Sequence, residues 1–170
     1  IEQDLASRVI VFGSAAEYGV IHPNQNPVSE NQPLKPVSVY GLTKAMQTQL
    51  AQFYSRVANI EVVIARLFNL AIPGLSSRLF YGRAESLIHQ FNDGEIDALE
   101  FGNLDSQRDY IGLTEAAAQI FLISDYGVSG EVYNVGSGIP KMIRSLLHSM
   151  LDHYNLPRDI IKELSSDSVG

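Results

Sequence analysis

Two residues four positions apart, Tyr40 and Lys44, could carry acid–base chemistry in this chain. Positions four apart lie on the same face of a helix, so both side chains would point the same way. A free phenol ionises near pH ~10 and is a poor acid or base at neutral pH, but a fixed ammonium nearby stabilises the phenolate. A tyrosine tuned in this way can exchange a proton with a carbonyl or hydroxyl oxygen. The pair alone is weak evidence for such chemistry, because the same spacing also occurs on solvated helix faces.

The secondary structure that positions Tyr40 and Lys44 can be predicted from the sequence around them. Its first element is the apolar run Arg8–Phe12. This run predicts a strand buried on both faces, as in a parallel sheet, and Gly13-Ser14 ends it. The proline-rich segment over residues 19–39 predicts a long loop, which is more often functional than not. A helix is then predicted over Val39–Val57, with an apolar stripe along one side that consists of Leu42, Ala45, Met46, Leu50, Phe53 and Val57.

The rest of the chain continues to alternate between strand and helix. A second buried strand is predicted at Glu61–Phe68, and Pro73-Gly74 marks a turn. Further helices are predicted at Leu79–Asn92, Leu113–Tyr126 and Met142–Tyr154, and short strands at Ala98–Phe101 and Glu131–Val135. This order predicts an α/β fold with a largely parallel sheet.

Composition narrows the class of protein and its partners. The 170 residues are 45% hydrophobic and 18% charged, which fits one globular domain with a sizeable core. A net charge of −7 argues against a nucleic-acid partner, and no apolar run approaches the ~20 residues that a membrane span needs. Cysteine is absent, so disulfides and thiolate chemistry are excluded and a cytoplasmic location is expected. The four histidines show no paired ligand spacing, so no metal site is predicted.

Five motifs follow one another along this framework. They are Gly13-Ser14 with Glu17-Tyr18-Gly19, then Ser38–Lys44, then Arg66–Asn69, then Gly102-Asn103 with Arg108-Asp109-Tyr110, and finally Val132–Gly138. Their order and spacing, from about Arg8 to about Leu151, resemble the extended short-chain dehydrogenase/reductases that act on sugar nucleotides, the NAD-dependent epimerase/dehydratase family. Within it, Pro27–Glu30 and Gly102-Asn103-Leu104 are closest to the reductases of a GDP-linked 4-keto-6-deoxymannose.

The resemblance implies a fold and a division of the chain. We expect the C-terminal part of a Rossmann-type, doubly wound parallel sheet together with part of a small substrate-binding region. Residues 1–70 would form the catalytic half of the sheet. Residues 71–170 would form the substrate-binding region, interleaved with the last strand of the sheet.

The resemblance also implies roles for individual residues. Ser14 would hydrogen-bond the substrate oxygen at the reacting carbon, Tyr40 would be the general acid of a reduction, and Lys44 would stabilise the phenolate and hold the nicotinamide ribose. Ser14, Tyr40, Lys44 and Phe68 would contact the cofactor, NADP or NAD, which carries the hydride. Asn69, Arg108 and Ala15 would contact the substrate, with Asn69 and Arg108 on its diphosphate, since the guanidinium fork pairs with phosphate oxygens.

Three departures from the family pattern bear on the reaction. In the 4,6-dehydratases an acid follows the catalytic Ser or Thr, but Ala15 and Ala16 stand there, which argues against dehydration. Glu17 comes one place too late and is expected to point to the other side of the turn. The sequences Ile72-Pro73 and Ile111–Glu115 also differ from the usual pattern, so the substrate pocket could differ.

The dinucleotide fingerprint is the largest departure. No Gly-x-x-Gly-x-x-Gly occurs in this chain, and Gly136-Ser137-Gly138 lies in the wrong place for it. The strand that ends at Ser14 should be about the fifth of the sheet, and the chain starts at Ile1. We therefore expect a piece of a larger protein that holds the catalytic residues without most of the cofactor site.

Three functions remain open at this point. The first is an NAD(P)-dependent reductase of a 4-keto sugar nucleotide, and the second is a sugar-nucleotide 4-epimerase. The third is a non-catalytic module that binds a nucleotide sugar or a partner surface. An exposed sheet edge favours self-association, so a homodimer or a larger assembly is expected.

Overall fold

A computed structural model describes residues 7–58 and 60–164 of the chain. In chain order, the strands and helices are β1 (Val9–Ser14), α1 (Val39–Val57), β2 (Val62–Leu67), β3 (Asn69–Leu70), α2 (Phe80–Asn92), β4 (Leu99–Phe101), β5 (Gln107–Ile111), α3 (Leu113–Tyr126), β6 (Val132–Val135), β7 (Pro140–Met142), α4 (Ile143–His153) and β8 (Ile161–Glu163). The described residues fall into two units, one made of residues 7–58, 60–69 and 111–138 and the other of residues 70–110 and 139–164. The predicted α/β fold with parallel strands is confirmed.

A parallel three-stranded sheet organises the first unit, in the order β1-β2-β6. The central strand β2 carries the core, since Val62, Val63, Ile64 and Ala65 are at most 4% exposed. The β-branched side chains suit a strand covered on both faces. Ser14 lies opposite Leu67, and Leu67 lies opposite Val135, so the three strands end at one edge of the sheet.

The prediction that β1 is buried on both faces is wrong in this chain. Val9 and Phe12 are each 44% exposed. The physical reason is position, because β1 pairs with β2 alone among the described residues and is therefore an edge strand.

The buried face of α1 consists of small residues. The helix spans the predicted residues, and the Ser38 side chain caps it by accepting a hydrogen bond from the Gly41 N–H at 3.0 Å. Its buried residues are Gly41, Ala45, Thr48 and Ala51, whereas Leu42, Met46, Leu50, Phe53 and Val57 are 50–60% exposed. Small side chains let the helix approach its neighbours closely, so most of the predicted stripe faces outward.

The second unit has its own core between α2 and α4. Ala84, Ile88, Leu99, Leu147 and Leu151 are fully buried there. Strands β4 and β8 pair in parallel, and β5 pairs antiparallel with β7 in a sheet of order β3-β5-β7. The predicted helices at Leu79–Asn92 and Met142–Tyr154 are confirmed to within one residue at each end.

Within residues 7–58 and 60–164, none of the helices combines the length and apolar character that a membrane crossing requires.

Candidate active site

The carboxyl edge of the β1-β2-β6 sheet collects most of the predicted site residues. Ser14 ends β1, while Phe68 and Asn69 follow directly after β2. The register places the ends of these strands side by side. Open α/β sheets bind their ligands outside the carboxyl ends of the strands, so this edge is the candidate site.

Ser14 is the residue at which the strand becomes a turn. Its backbone is extended (φ −146°, ψ 143°), and its Oγ accepts a hydrogen bond from the Ala16 N–H at 3.3 Å. The chain then enters a short 3₁₀ turn, Ala15–Glu17. Ser14 is half-buried, and its hydroxyl proton remains available for a bond to a ligand oxygen.

The first turn of α1 packs directly against this 3₁₀ turn. A Cβ on Gly41 would lie 2.4 Å from the carbonyl oxygen of Ala16, so the close approach requires glycine at this position. Tyr40 precedes Gly41 and is 57% exposed. The packing therefore brings the Tyr40 backbone and the Ser14 turn to the same edge of the sheet.

Lys44 anchors the same helix to β1. Its Nζ donates a hydrogen bond to the Phe12 carbonyl oxygen at 2.9 Å and another to Gln47 Oε1 at 3.0 Å. Phe12 lies two residues before Ser14 in β1. The ammonium is thereby fixed beside the strand end, one helical turn from Tyr40.

A buried ion pair lies beneath the site, and the sequence analysis did not identify it. Glu17 is fully buried and Arg66, the fifth of the six residues of β2, is 2% exposed. Arg66 donates from Nη2 to Glu17 Oε2 at 3.0 Å and from Nε to the same oxygen at 3.2 Å. Glu17 is therefore engaged by Arg66 inside the protein, and whether it serves the reaction stays a matter of prediction.

Two features of the sequence indicate the Glu17–Arg66 pair. Ser14 and Glu17 form the Ser-x-x-Glu pattern of a capping box, and the structure contains that box. Arg66 interrupts an otherwise apolar strand, and a buried guanidinium requires a paired anion.

Tyr18 extends the polar cluster toward β6. Its hydroxyl accepts from Arg66 Nη1 at 2.8 Å and donates to Asn134 Oδ1 at 2.7 Å. Burial raises the pKa of Tyr18 above its ordinary value, although the bonded Arg66 opposes that change. Tyr18 therefore stays a neutral donor, and Asn134 in turn donates from Nδ2 to the Val28 carbonyl oxygen at 2.9 Å, which ties the long loop to the sheet.

The remaining predicted residues lie in different places. Ala15 is half-buried in the 3₁₀ turn, and the Phe68 ring lies 6.4 Å from the Tyr18 ring, centroid to centroid. Asn69 opens β3 and is half-buried. Arg108 belongs to β5 in the second unit, where its side chain is exposed and Nη1 donates to the Gln107 carbonyl oxygen at 2.7 Å.

Comparison with known proteins gives the family. The family model described as "NAD dependent epimerase/dehydratase family" matches residues 2–136. The chain belongs to the NAD-dependent epimerase/dehydratase family.

Relatives within the epimerase/dehydratase family have different activities. GDP-6-deoxy-D-mannose reductase of Pseudomonas aeruginosa is 24% identical over 155 residues, which are 91% of this chain and 51% of the relative. A putative UDP-glucose 4-epimerase of Methanocaldococcus jannaschii is 28% identical over 139 residues, 81% of this chain and 44% of the relative. A dTDP-glucose 4,6-dehydratase is also among the matches. The chain spans about half the length of the curated relatives it matches.

Solved structures agree on the epimerase/dehydratase fold. The structure of RMD from Pseudomonas aeruginosa, complexed with NADPH, superposes with a TM-score of 0.84 at 23% identity, covering 92% of this chain and 52% of that one. The Rossmann-type fold predicted for the chain is thus confirmed.

The residues present fit one part of a nicotinamide cofactor. Lys44 Nζ lies against the Phe12 carbonyl oxygen near the carboxyl end of β1, and Tyr40, one helical turn away, is 57% exposed. A hydroxyl and an ammonium are groups that would suit a ribose and its nicotinamide. The glycine-rich loop that receives a pyrophosphate is not in the chain. In the part of the chain that the structure describes, there is no cluster of three or more His, Asp or Glu side chains that could bind a metal ion.

Proposed function

We propose that the intact protein to which this chain belongs reduces a 4-keto sugar nucleotide, of the GDP-4-keto-6-deoxymannose type, with NADPH or NADH. The observation that carries the proposal is the joint anchoring of α1 to the end of β1, through Gly41 against Ala16 and through Lys44 on Phe12. This anchoring supports the proposal that the predicted acid and its lysine act together with Ser14. A GDP-6-deoxy-D-mannose reductase among the relatives supports the choice of substrate.

Each of the three residues has a defined part in this proposal. The Ser14 hydroxyl donates a hydrogen bond to the keto oxygen and orients it. The Tyr40 hydroxyl gives its proton to the same oxygen as the alcohol forms, and the Lys44 ammonium stabilises the phenolate that remains. A bound reduced nicotinamide supplies the hydride that the keto carbon accepts.

Dehydration is the reaction that the local chemistry disfavours. Elimination of water from the sugar needs an acid close to the catalytic serine, and Ala15 and Ala16 have no proton to move. Glu17 is fully buried and its carboxylate is paired with Arg66, which argues against its taking part in proton transfer to a ligand.

The roles of the other residues stay predictions. Asn69 and Arg108 are proposed to hold the diphosphate, Ala15 to line the substrate site and Phe68 to contact the cofactor. The exposed guanidinium of Arg108 is compatible with an anionic partner. A nucleotide-sugar substrate, a homodimer and a cytoplasmic location belong to the same proposal.

A 4-epimerase is the second candidate. The putative UDP-glucose 4-epimerase among the relatives is 28% identical to the chain, and epimerisation needs the same serine, tyrosine and lysine. The two reactions differ in the fate of the hydride, because an epimerase returns it to the cofactor.

The test uses the intact protein with NADPH or NADH carrying deuterium at the transferred position. We expect GDP-4-keto-6-deoxymannose to consume the cofactor stoichiometrically and deuterium to appear at carbon 4 of the product. Epimerisation without net cofactor consumption would overturn the reductase in favour of the epimerase. Neither reaction with any GDP-, UDP- or dTDP-linked sugar tested would favour a non-catalytic binding module.

A fluorescence titration complements this assay. The chain contains no tryptophan, so protein emission interferes little with that of NADPH or NADH. Because the pyrophosphate loop is not in the 170-residue chain, we expect the intact protein to bind either cofactor far more tightly than this chain does. Equal affinities would contradict the proposed division of the cofactor site.

A further inference from the structure

Glu17 is a buried acid that the proposed reaction does not use. Its carboxylate is fully buried, and it comes three residues after Ser14. A buried carboxylate is costly unless every oxygen is hydrogen-bonded. Its partners therefore indicate what the residue does.

The two carboxylate oxygens of Glu17 accept hydrogen bonds from residues of three elements. Oε1 accepts the Ser14 N–H at 2.7 Å, which closes the turn after β1. Oε2 accepts the Thr48 hydroxyl of α1 at 2.9 Å and the Arg66 guanidinium of β2 at 3.0 Å. One side chain thus joins the serine turn, the helix that carries Tyr40 and Lys44, and the central strand.

The backbone is adapted to this arrangement. A Cβ on Gly13 would lie 2.6 Å from Glu17 Oε1, so the absence of a side chain at Gly13 gives the carboxylate its room. Arg66 is held from its other side as well, because its guanidinium carbon lies 4.6 Å from the centroid of the Tyr18 ring. The carboxylate has little freedom to move.

Stability alone does not account for a charged pair at this place. Well-packed apolar residues of similar volume often stabilise a protein as much as a buried ion pair does. Apolar residues, however, cannot fix the direction of three donors. A carboxylate can, because its lone pairs accept hydrogen bonds at defined angles.

We propose that Glu17, held by Arg66, is a positioning residue that sets Ser14 relative to α1 and hence to Tyr40 and Lys44. The inference rests on the proposed function for its effect on the reaction. Glu17 acts through the Ser14 N–H and through Thr48, and it does not touch the substrate. Thr48 is the link through which the position of the helix depends on the carboxylate.

The decisive variants are at Thr48, because they leave no buried charge unpaired. In the intact protein, Thr48→Val removes the hydroxyl and keeps the shape, whereas Thr48→Ser keeps the hydroxyl. We expect Thr48→Val to lower kcat about tenfold, the rate equivalent of one hydrogen bond to a charged group, with KM little changed. Thr48→Ser should restore most of kcat. Equal kcat in the two variants, or losses that follow thermal stability instead of the hydroxyl, would overturn the proposal.

Glu17→Gln gives the second readout, which does not depend on activity. Amide hydrogen exchange at Ser14, followed by NMR in the intact protein, should become faster in Glu17→Gln than in the wild type, and kcat should fall by up to about 100-fold from misplacement of the serine. Unchanged exchange at Ser14 in a folded Glu17→Gln protein would contradict the positioning role. An inactive wild type would instead contradict the proposed function, while the exchange result would still decide the role of Glu17.

Discussion

Tyr40, the second residue of α1, is 57% exposed, so its side chain is accessible to a ligand. In the intact protein, Tyr40→Phe removes the proton donor and keeps the ring. We expect kcat to fall by ~10²–10⁴, the usual contribution of a general acid, with KM little changed. Steady-state kinetics would measure both. Tyr54→Phe is the matched control, since Tyr54 lies on the same helix and is 47% exposed; normal turnover in Tyr40→Phe would remove Tyr40 from the reaction.

A second residue, Tyr110, leads to a prediction about how the stability of the fold depends on pH. Burial raises the pKa of Tyr110 above its ordinary value, although Arg108 opposes the change. Below pH ~10 the phenol is protonated in both the folded and the unfolded chain, so its contribution to stability is fully present. As the pH rises further the unfolded chain loses the proton first, and the contribution of Tyr110 is lost up to the raised pKa.

Tyr110→Phe should therefore flatten the alkaline fall in the free energy of unfolding, by up to about 1.4 kcal/mol per pH unit. Urea unfolding at neutral pH and above pH ~10 measures the difference. Tyr126→Phe serves as the control, because Tyr126 is 78% exposed. An unchanged alkaline slope in Tyr110→Phe would contradict the burial effect.

At the scale of elements, the contact between α1 and the 3₁₀ turn decides where Tyr40 stands. Gly41→Ala would place a Cβ 2.4 Å from the Ala16 carbonyl oxygen, so the helix must shift away from the serine turn. We expect a loss of about 1–3 kcal/mol in stability, the usual cost of overpacking, and a drop in kcat of the intact protein. Gly102→Ala is the control, because a Cβ there meets no atom within 4 Å. Wild-type kcat and stability in Gly41→Ala would show that the close contact is dispensable.

The bounds of the helices could be predicted from sequence, but their buried faces could not. Both α1 (Val39–Val57) and α3 (Leu113–Tyr126) have the predicted ends, since caps and turn residues act locally. The buried face of α1 depends on close packing against the 3₁₀ turn and the sheet, and small residues such as Gly41 and Ala45 provide it. A pattern weighted by large apolar side chains therefore indicates the wrong side.

Strand β5 was missed for a related reason. Its sequence, Gln107–Ile111, begins with three polar residues and gives no clear alternation. It forms by pairing antiparallel with β7, and such a pairing depends on the tertiary structure. The motif Arg108-Asp109 could be identified from sequence, whereas its position in a strand could not.

For the whole chain, the connection of β1, α1 and β2 explains why distant residues meet. A helix that joins two parallel strands starts near the carboxyl end of the first strand. Ser14 at the end of β1 and Tyr40 at the start of α1 are consequently brought to the same end of the sheet, although 25 residues separate them in the sequence. The predicted catalytic residues could be grouped from sequence on this basis, but the Glu17 carboxylate that joins their supports required the structure.

Self-association is the prediction that belongs to the scale of the whole molecule. The outer face of α1 carries Val39, Leu42, Met46, Leu50, Phe53 and Val57, each at least 50% exposed. Their spacing of three or four residues forms a continuous apolar seam of the kind that pairs helices.

We expect the 170-residue chain to form dimers or larger assemblies, and Leu50→Glu to shift it toward monomer in sedimentation velocity experiments. Leu79→Glu, at a residue 53% exposed outside α1, should leave the assembly intact. A wild-type chain that stays monomeric at high concentration would contradict the prediction, and an effect of Leu79→Glu equal to that of Leu50→Glu would show that the seam is not the contact.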